Sequence, residues 1–134
     1  MNRKAFLFSG LVLWAALPAL AEGLEPRPRL VIDEPVFESG GFRPGAAFSH
    51  EFTLRNEGGA PLLIEEVLTG CSCAAVAYDR TIAPGGRGRV RLTVEVHREW
   101  GGRDLRRTLW LTTNDPEAAQ VSLVVRGRVA GGGR

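Results

Sequence analysis

The sequence predicts an all-β fold, an antiparallel sandwich of about seven short strands. Two observations carry that expectation. Apolar and polar residues alternate at period two in one segment after another, which marks strands with one buried face. Clusters of Gly, Pro, Asn and Asp then cut those segments apart, and no stretch carries the stripe of an amphipathic helix.

The chain opens MNRKAFLFSGLVLWAALPALAEG. Arg3 and Lys4 form a positive head, Ala5 to Leu17 is mostly apolar, and Pro18 ends the run. Ala19-Leu20-Ala21 has the small-x-small form of a signal peptidase site, so residues 1–21 read as a secretory signal peptide cut after Ala21. The competing reading is an uncleaved membrane anchor, which needs about 20 apolar residues, more than this run supplies. The expectation is an exported protein, periplasmic or extracellular, that does not span the membrane after cleavage. Residues 22–28 read as a flexible leader, 29–130 as one domain and 131–134 as a disordered tail.

Within the domain, FSHEFTLRN places Phe48, His50, Phe52 and Leu54 on one face and Ser49, Glu51, Thr53 and Arg55 on the other. RVRLTVEVH sets Val90, Leu92, Val94 and Val96 against Arg91, Thr93, Glu95 and His97. TLWLTTN and QVSLVVRGRV continue through Leu109, Leu111, Val121, Leu123 and Val125. The expected core is Phe48, Phe52, Leu54, Ile64, Leu92, Val94, Leu109, Leu111 and Val125. Trp110 is out of phase with Leu109 and Leu111, so it should lie on an outer sheet face. NEGGAP, APGGRG, WGGRD and TNDPEA are the turns, with Pro84-Gly85 suited to the centre of a type II turn.

Charge narrows the function classes. Loss of Arg3 and Lys4 with the signal leaves basic residues, all Arg, that balance the 15 Asp plus Glu. Net charge therefore gives no footing for nucleic-acid binding. GGFRPG and APGGRG do not lead into helices, which leaves phosphate cradling unsupported. No nucleophile elbow or paired acid and base is recognisable, and the chain reads as a non-enzyme. Arg89, Arg91, Arg106, Arg126 and Arg128 could share an outer face and meet an anionic envelope component. Glu95, Glu99 and Asp104 interrupt that field, so an ordinary mixed surface is the plainer reading.

Several of these residues form an ordered set: His50, Phe52, Leu54, Asn56, Gly58, Pro61, Leu62 and Ile64, then Cys71 and Cys73, then Ile82, Pro84 and Gly85, then Thr113-Asn114-Asp115-Pro116. The set resembles the exported bacterial family known as a domain of unknown function, number fifteen seventy-three, over residues 29–129. The resemblance implies an immunoglobulin-like sandwich, similar to abnormal-spindle and hydin domains, and no established activity. The family pattern has Gly between the cysteines and Thr after them, where this chain has Ser72 and Ala74. Asn56, Pro61, Pro84 and Asp115 are accounted for by strand ends and turns alone.

Cys71 and Cys73 are the only cysteines, and their spacing leaves three readings. In a flat strand their Cα atoms would be about 6.6 Å apart with side chains on one face. That is the far edge of the range a disulfide accepts, so a bond requires a bent backbone and forms a redox-labile pair. As thiolates the two could instead hold a soft metal such as Cu(I), with His50 as a candidate third ligand. As small packed side chains they would be inert. His50, in an apolar row, is otherwise a buried neutral imidazole. Cys-x-Cys is not the Cys-x-x-Cys of thioredoxins, and no helix follows to lower a thiol pKa. The functional expectation is an exported non-enzymatic module with a binding or structural role in the envelope, its partner an unknown protein or envelope component. The alternative is a periplasmic thiol-redox or Cu(I)-handling protein.

Overall fold

A computed structural model describes residues 25–131. The expected signal peptide and most of the expected tail lie outside the described residues. The described chain forms nine strands: β1 Leu30–Ile32, β2 Val36–Glu38, β3 Ala47–Asn56, β4 Leu62–Thr69, β5 Ala74–Tyr78, β6 Thr81–Ile82, β7 Arg87–Glu95, β8 Asp104–Thr113 and β9 Gln120–Arg128. One 3-10 turn, Arg98–Trp100, joins β7 to β8. Among the described residues no helix is long and apolar enough to cross a membrane.

The strands form two sheets in the orders β1-β3-β7-β5 and β2-β9-β8-β4-β6. The period-two segments become the long strands, and their apolar faces meet between the sheets. Phe52, Leu54, Ile64, Leu92, Val94, Leu109, Leu111 and Val125 are buried, as the alternation predicts. Phe48 departs from that expectation. It is only partly buried, packing edge-on against Phe42 at 4.7 Å between ring centroids near the core's margin. Val90, Val96 and Leu123 join the core from the same alternating segments, Leu62 and Leu105 from the starts of β4 and β8, and Phe42, Ile82 and Val129 from short or irregular segments without a clear period.

One pairing differs from the expected all-antiparallel order. β2 runs parallel to β9, while β1 runs antiparallel to β3. Between them Asp33-Glu34-Pro35 carries the chain from one sheet to the other. Pro35 has no N–H for a ladder, and its carbonyl accepts the Val124 N–H at 2.8 Å. One extended segment thus serves both sheets, which lifts the strand number above seven.

The expected leader is also more ordered at its end. The Arg27 carbonyl accepts the Gly59 N–H and the Arg29 carbonyl accepts the Glu57 N–H, both at 2.9 Å. Gly58 makes that approach possible, since a Cβ there would lie 1.9 Å from the Arg27 oxygen.

Candidate functional site

β4 leads from one end of the sandwich to the other. At its start lie Asn56, the Pro84-Gly85 turn and the Thr113–Pro116 turn; at its finish lies the Cys71–Cys73 loop. The Ala83-Pro84-Gly85-Gly86 turn has the predicted chemistry: Gly85 has a φ of 73°, and the Gly86 N–H returns to the Ala83 carbonyl at 2.8 Å.

At the first end the motif residues are fully engaged in holding the fold. Asn56 is buried. Its Oδ1 accepts the N–H groups of Arg29 at 3.1 Å and Gly58 at 3.0 Å, and its Nδ2 donates to the carbonyls of Ala60 at 2.8 Å and Ile82 at 3.0 Å. Asp115 is buried too, and its carboxylate accepts the N–H of Leu30 at 2.8 Å and of Glu117 at 2.9 Å. Asn114 ties the turn to β4 through the Leu63 N–H and the Pro61 carbonyl. The side-chain amide of Asn56 and both carboxylate oxygens of Asp115 are thus committed to backbone.

The second end is built differently. Cys71 and Cys73 form a disulfide with their Cα atoms 5.2 Å apart, and there is no free cysteine. That separation is shorter than an extended tripeptide gives, because the backbone turns through Ser72. The Ala74 N–H donates to the Cys71 carbonyl at 3.3 Å, and the Thr69 hydroxyl donates to the same oxygen at 2.9 Å. Ser72, in place of the family's Gly, therefore still forms the turn. Both cysteines are half-buried and Ser72 is exposed. Cys73 packs against the core edge, and its N–H points at the Cys71 sulfur at 3.1 Å.

His50 does not join them. It pairs with Leu92 on β7, whose other neighbour is Val76 on β5, so a whole strand separates it from the cysteines' side of the sheet. Its ring stacks on Phe37 with centroids 3.7 Å apart and meets Phe52 edge-on at 4.6 Å. Burial lowers its pKa from 6.5, while the charges of Glu34 and Glu51 pull the other way. The half-buried neutral imidazole is the reading that fits. Among the described residues no three His, Cys, Asp or Glu side chains gather as a metal site requires.

The arginines do not form one field. Arg89 and Arg91 belong to β7 in one sheet, and Arg106, Arg126 and Arg128 belong to β8 and β9 in the other. Arg89 also lies 3.7 Å from Glu51, Arg126 pairs with Glu38, and Arg128 lies 4.0 Å from Asp104. The mixed-surface reading accounts for them.

Beside the disulfide loop the outer face of the five-stranded sheet turns apolar. Trp110 is 50% exposed, as its phase predicts, and Leu68 directly opposite it on β4 is 51% exposed. The Trp110 ring reaches along the sheet to Gly70, where a Cβ would lie 3.5 Å from it. Exposed apolar Val36 lies across the same sheet, on β2. Leu68 is the residue that period-two reasoning misses. A β-bulge between Ile64 and Glu66 adds a residue and reverses the alternation, so Ile64 points in and Leu68 points out. The Glu65-Glu66 doublet, which breaks the period, is the signal in the sequence.

The DUF1573 family signature, described as "Protein of unknown function", covers residues 30–129. The chain belongs to this family. This DUF1573 chain is similar in fold to a protein of unknown function from Porphyromonas gingivalis W83, at 23% identity and a TM-score of 0.65 over 85% of the chain. It spans about half of that relative, 51%. It is also similar to the ASH/PapD-like domain 7 of human CEP192, at 10% identity and a TM-score of 0.59, covering 78% of this chain and 87% of that one. The MSP-domain protein SSP-19 of Caenorhabditis elegans matches at 15% identity and a TM-score of 0.51, covering 75% and 98%. No curated protein matches the chain. These likenesses establish an immunoglobulin-like DUF1573 sandwich.

Proposed function

We propose that this domain is an exported, non-enzymatic module of the cell envelope that acts by contact, through the outer face that carries Leu68 and Trp110. The observation that supports this reading is that cross-strand pair, half exposed beside the Cys71–Cys73 loop. Two large apolar side chains in register form a cohesive patch, which solvent alone does not favour. The motif residues at the opposite end are spent on backbone bonds and leave no chemistry to offer. A photo-crosslinking residue at position 110, compared with one at the exposed Thr53 on the other sheet, tests this in the native cell. The reading expects a discrete adduct in the periplasmic fraction from position 110 and none from position 53. Cytoplasmic retention of the chain, or equal labelling from the two positions, would contradict it.

A second reading, a thiol-redox role, is favoured by the disulfide itself. It closes across a single residue on a half-exposed loop, so a small thiol can reach it, and bonds of this accessibility exchange readily. Copper would enter only through the reduced pair, whose thiolates suit Cu(I). Reversible reduction by glutathione without unfolding supports this role, and resistance of the folded chain to glutathione removes it.

A further inference from the structure

β5 borders the four-stranded sheet and pairs with β7 alone. The Cys73 carbonyl accepts the Glu95 N–H at 3.0 Å, and the Asp79 N–H donates to the Arg89 carbonyl at 3.0 Å. Residues 73, 75, 77 and 79 therefore bond toward β7, and residues 74, 76 and 78 turn their N–H and C=O groups outward. Of those outward groups, the Ala74 N–H bonds within the turn, to the Cys71 carbonyl. The remaining ones form a free row with no backbone partner among the described residues.

Exposed edges are normally shortened, charged or broken by Pro. The other three edges here follow that rule. β1 has three residues between Arg29 and Asp33, β2 has three residues after Pro35 and carries Glu38, and β6 has two residues. β5 has five, Ala-Ala-Val-Ala-Tyr, with no charge and no Pro.

We propose that β5 pairs antiparallel with β5 of a second copy of this chain, about a two-fold axis at Val76. The two four-stranded sheets then become one continuous sheet. The strand is matched to itself in this register. Val76 meets Val76, Ala74 meets Tyr78 and Ala75 meets Ala77, so the Val76 N–H and C=O groups face each other and each Tyr78 N–H faces a free Ala74 carbonyl, while the Tyr78 carbonyl faces the Ala74 N–H that the turn already holds. This is the self-complementary contact a closed dimer requires. Ala75 and Ala77 present methyl groups on the exposed face, which leaves the approach unhindered. Past the ends, Asp79 falls opposite Cys73 and Arg80 opposite Ser72, so no like charges are opposed. Beyond residue 21 the basic and acidic residues balance, and two copies carry no net repulsion.

The test uses the chain as the cell processes it, with its mass measured by sedimentation over a range of concentrations. The expected result is a rise from one to two chain masses. Ala75 of one copy and Ala77 of the other would be directly opposed, where like charges destabilise. The double variant Ala75→Lys, Ala77→Lys should therefore stay at one chain mass, as should Ala75→Glu, Ala77→Glu. A far-UV spectrum matching the wild type shows that each still folds. Mixing the two variants should restore the double mass through Lys–Glu pairs. A wild-type chain that stays at one mass throughout overturns the proposal. So does a dimer that persists unchanged in both charged variants, or folded variants that fail to combine.

Discussion

The two ends of the sandwich carry the same family motif and use it in opposite ways. At one end Asn56 and Asp115 are buried and bonded on every side, closing β1, β3, β4 and the β8–β9 turn around each other. At the other, Cys71 and Cys73 sit half exposed between an open strand edge and an apolar outer face. The lesson is that an ordered motif does not mark one site. A polar residue whose bonds are all spent on backbone has no capacity left for a ligand, whereas a linkage in a turn at the end of an unpaired edge keeps its chemistry available.

The largest expected effect breaks the closed end. Asn56→Ala strands two N–H groups and two carbonyls in or near the core, and each unsatisfied buried group costs about 1–3 kcal/mol. Urea unfolding should show a loss of about 3 kcal/mol or more. A loss below about 1 kcal/mol would mean that water replaces the amide and that this end is not closed. The same assay sharpens the contrast at the open end. A disulfide spanning one residue removes little entropy from the unfolded chain, so Cys71→Ser, Cys73→Ser should cost less than about 1 kcal/mol. A loss comparable to that of Asn56→Ala would make the pair a structural element instead.

The smallest effect lies between the two ends, at His50. Burial lowers its pKa from 6.5, so the unfolded chain takes up the proton first as pH falls. Its contribution to stability is present in full above 6.5 and is lost as pH drops from there through the folded value. As pH falls below 6.5 the unfolding midpoint should drop more steeply in the wild type than in His50→Leu. Equal slopes in the two chains would place the proton uptake elsewhere.

Much of the closed end was legible in the sequence because its signals are local. Asn56 before Glu-Gly-Gly, Pro84-Gly85 and Thr-Asn-Asp-Pro each specify a turn within a few residues. The core followed from alternation along most of the long strands, Phe48 at the start of β3 being the exception. The crossover at Pro35 and the bulge near Glu65 were not legible, since each depends on which sheet the chain joins next. For the same reason the sequence alone left the cysteines open among three chemistries. Spacing sets a flat-strand distance of about 6.6 Å, and only the turn through Ser72 brings the Cα atoms to 5.2 Å. The free edge of β5 was the least visible feature. Its signal is an absence of charge across Ala74–Tyr78, which carries meaning only once the strand is known to lie at an edge.

Amide hydrogen exchange, resolved residue by residue, tests the contrast between the ends most directly. The Ala75→Lys, Ala77→Lys chain is the right sample, because it holds the β5 edge unpaired. The N–H groups of Arg29, Leu30 and Gly58, held by Asn56 and Asp115, should exchange only through opening of the closed end, far more slowly than exposed amides. Those of Val76 and Tyr78 should exchange near the rate of an unstructured peptide. Fast exchange at Leu30 and Gly58, or protection at Val76 and Tyr78 equal to theirs, would contradict a sandwich closed at one end and open at the other.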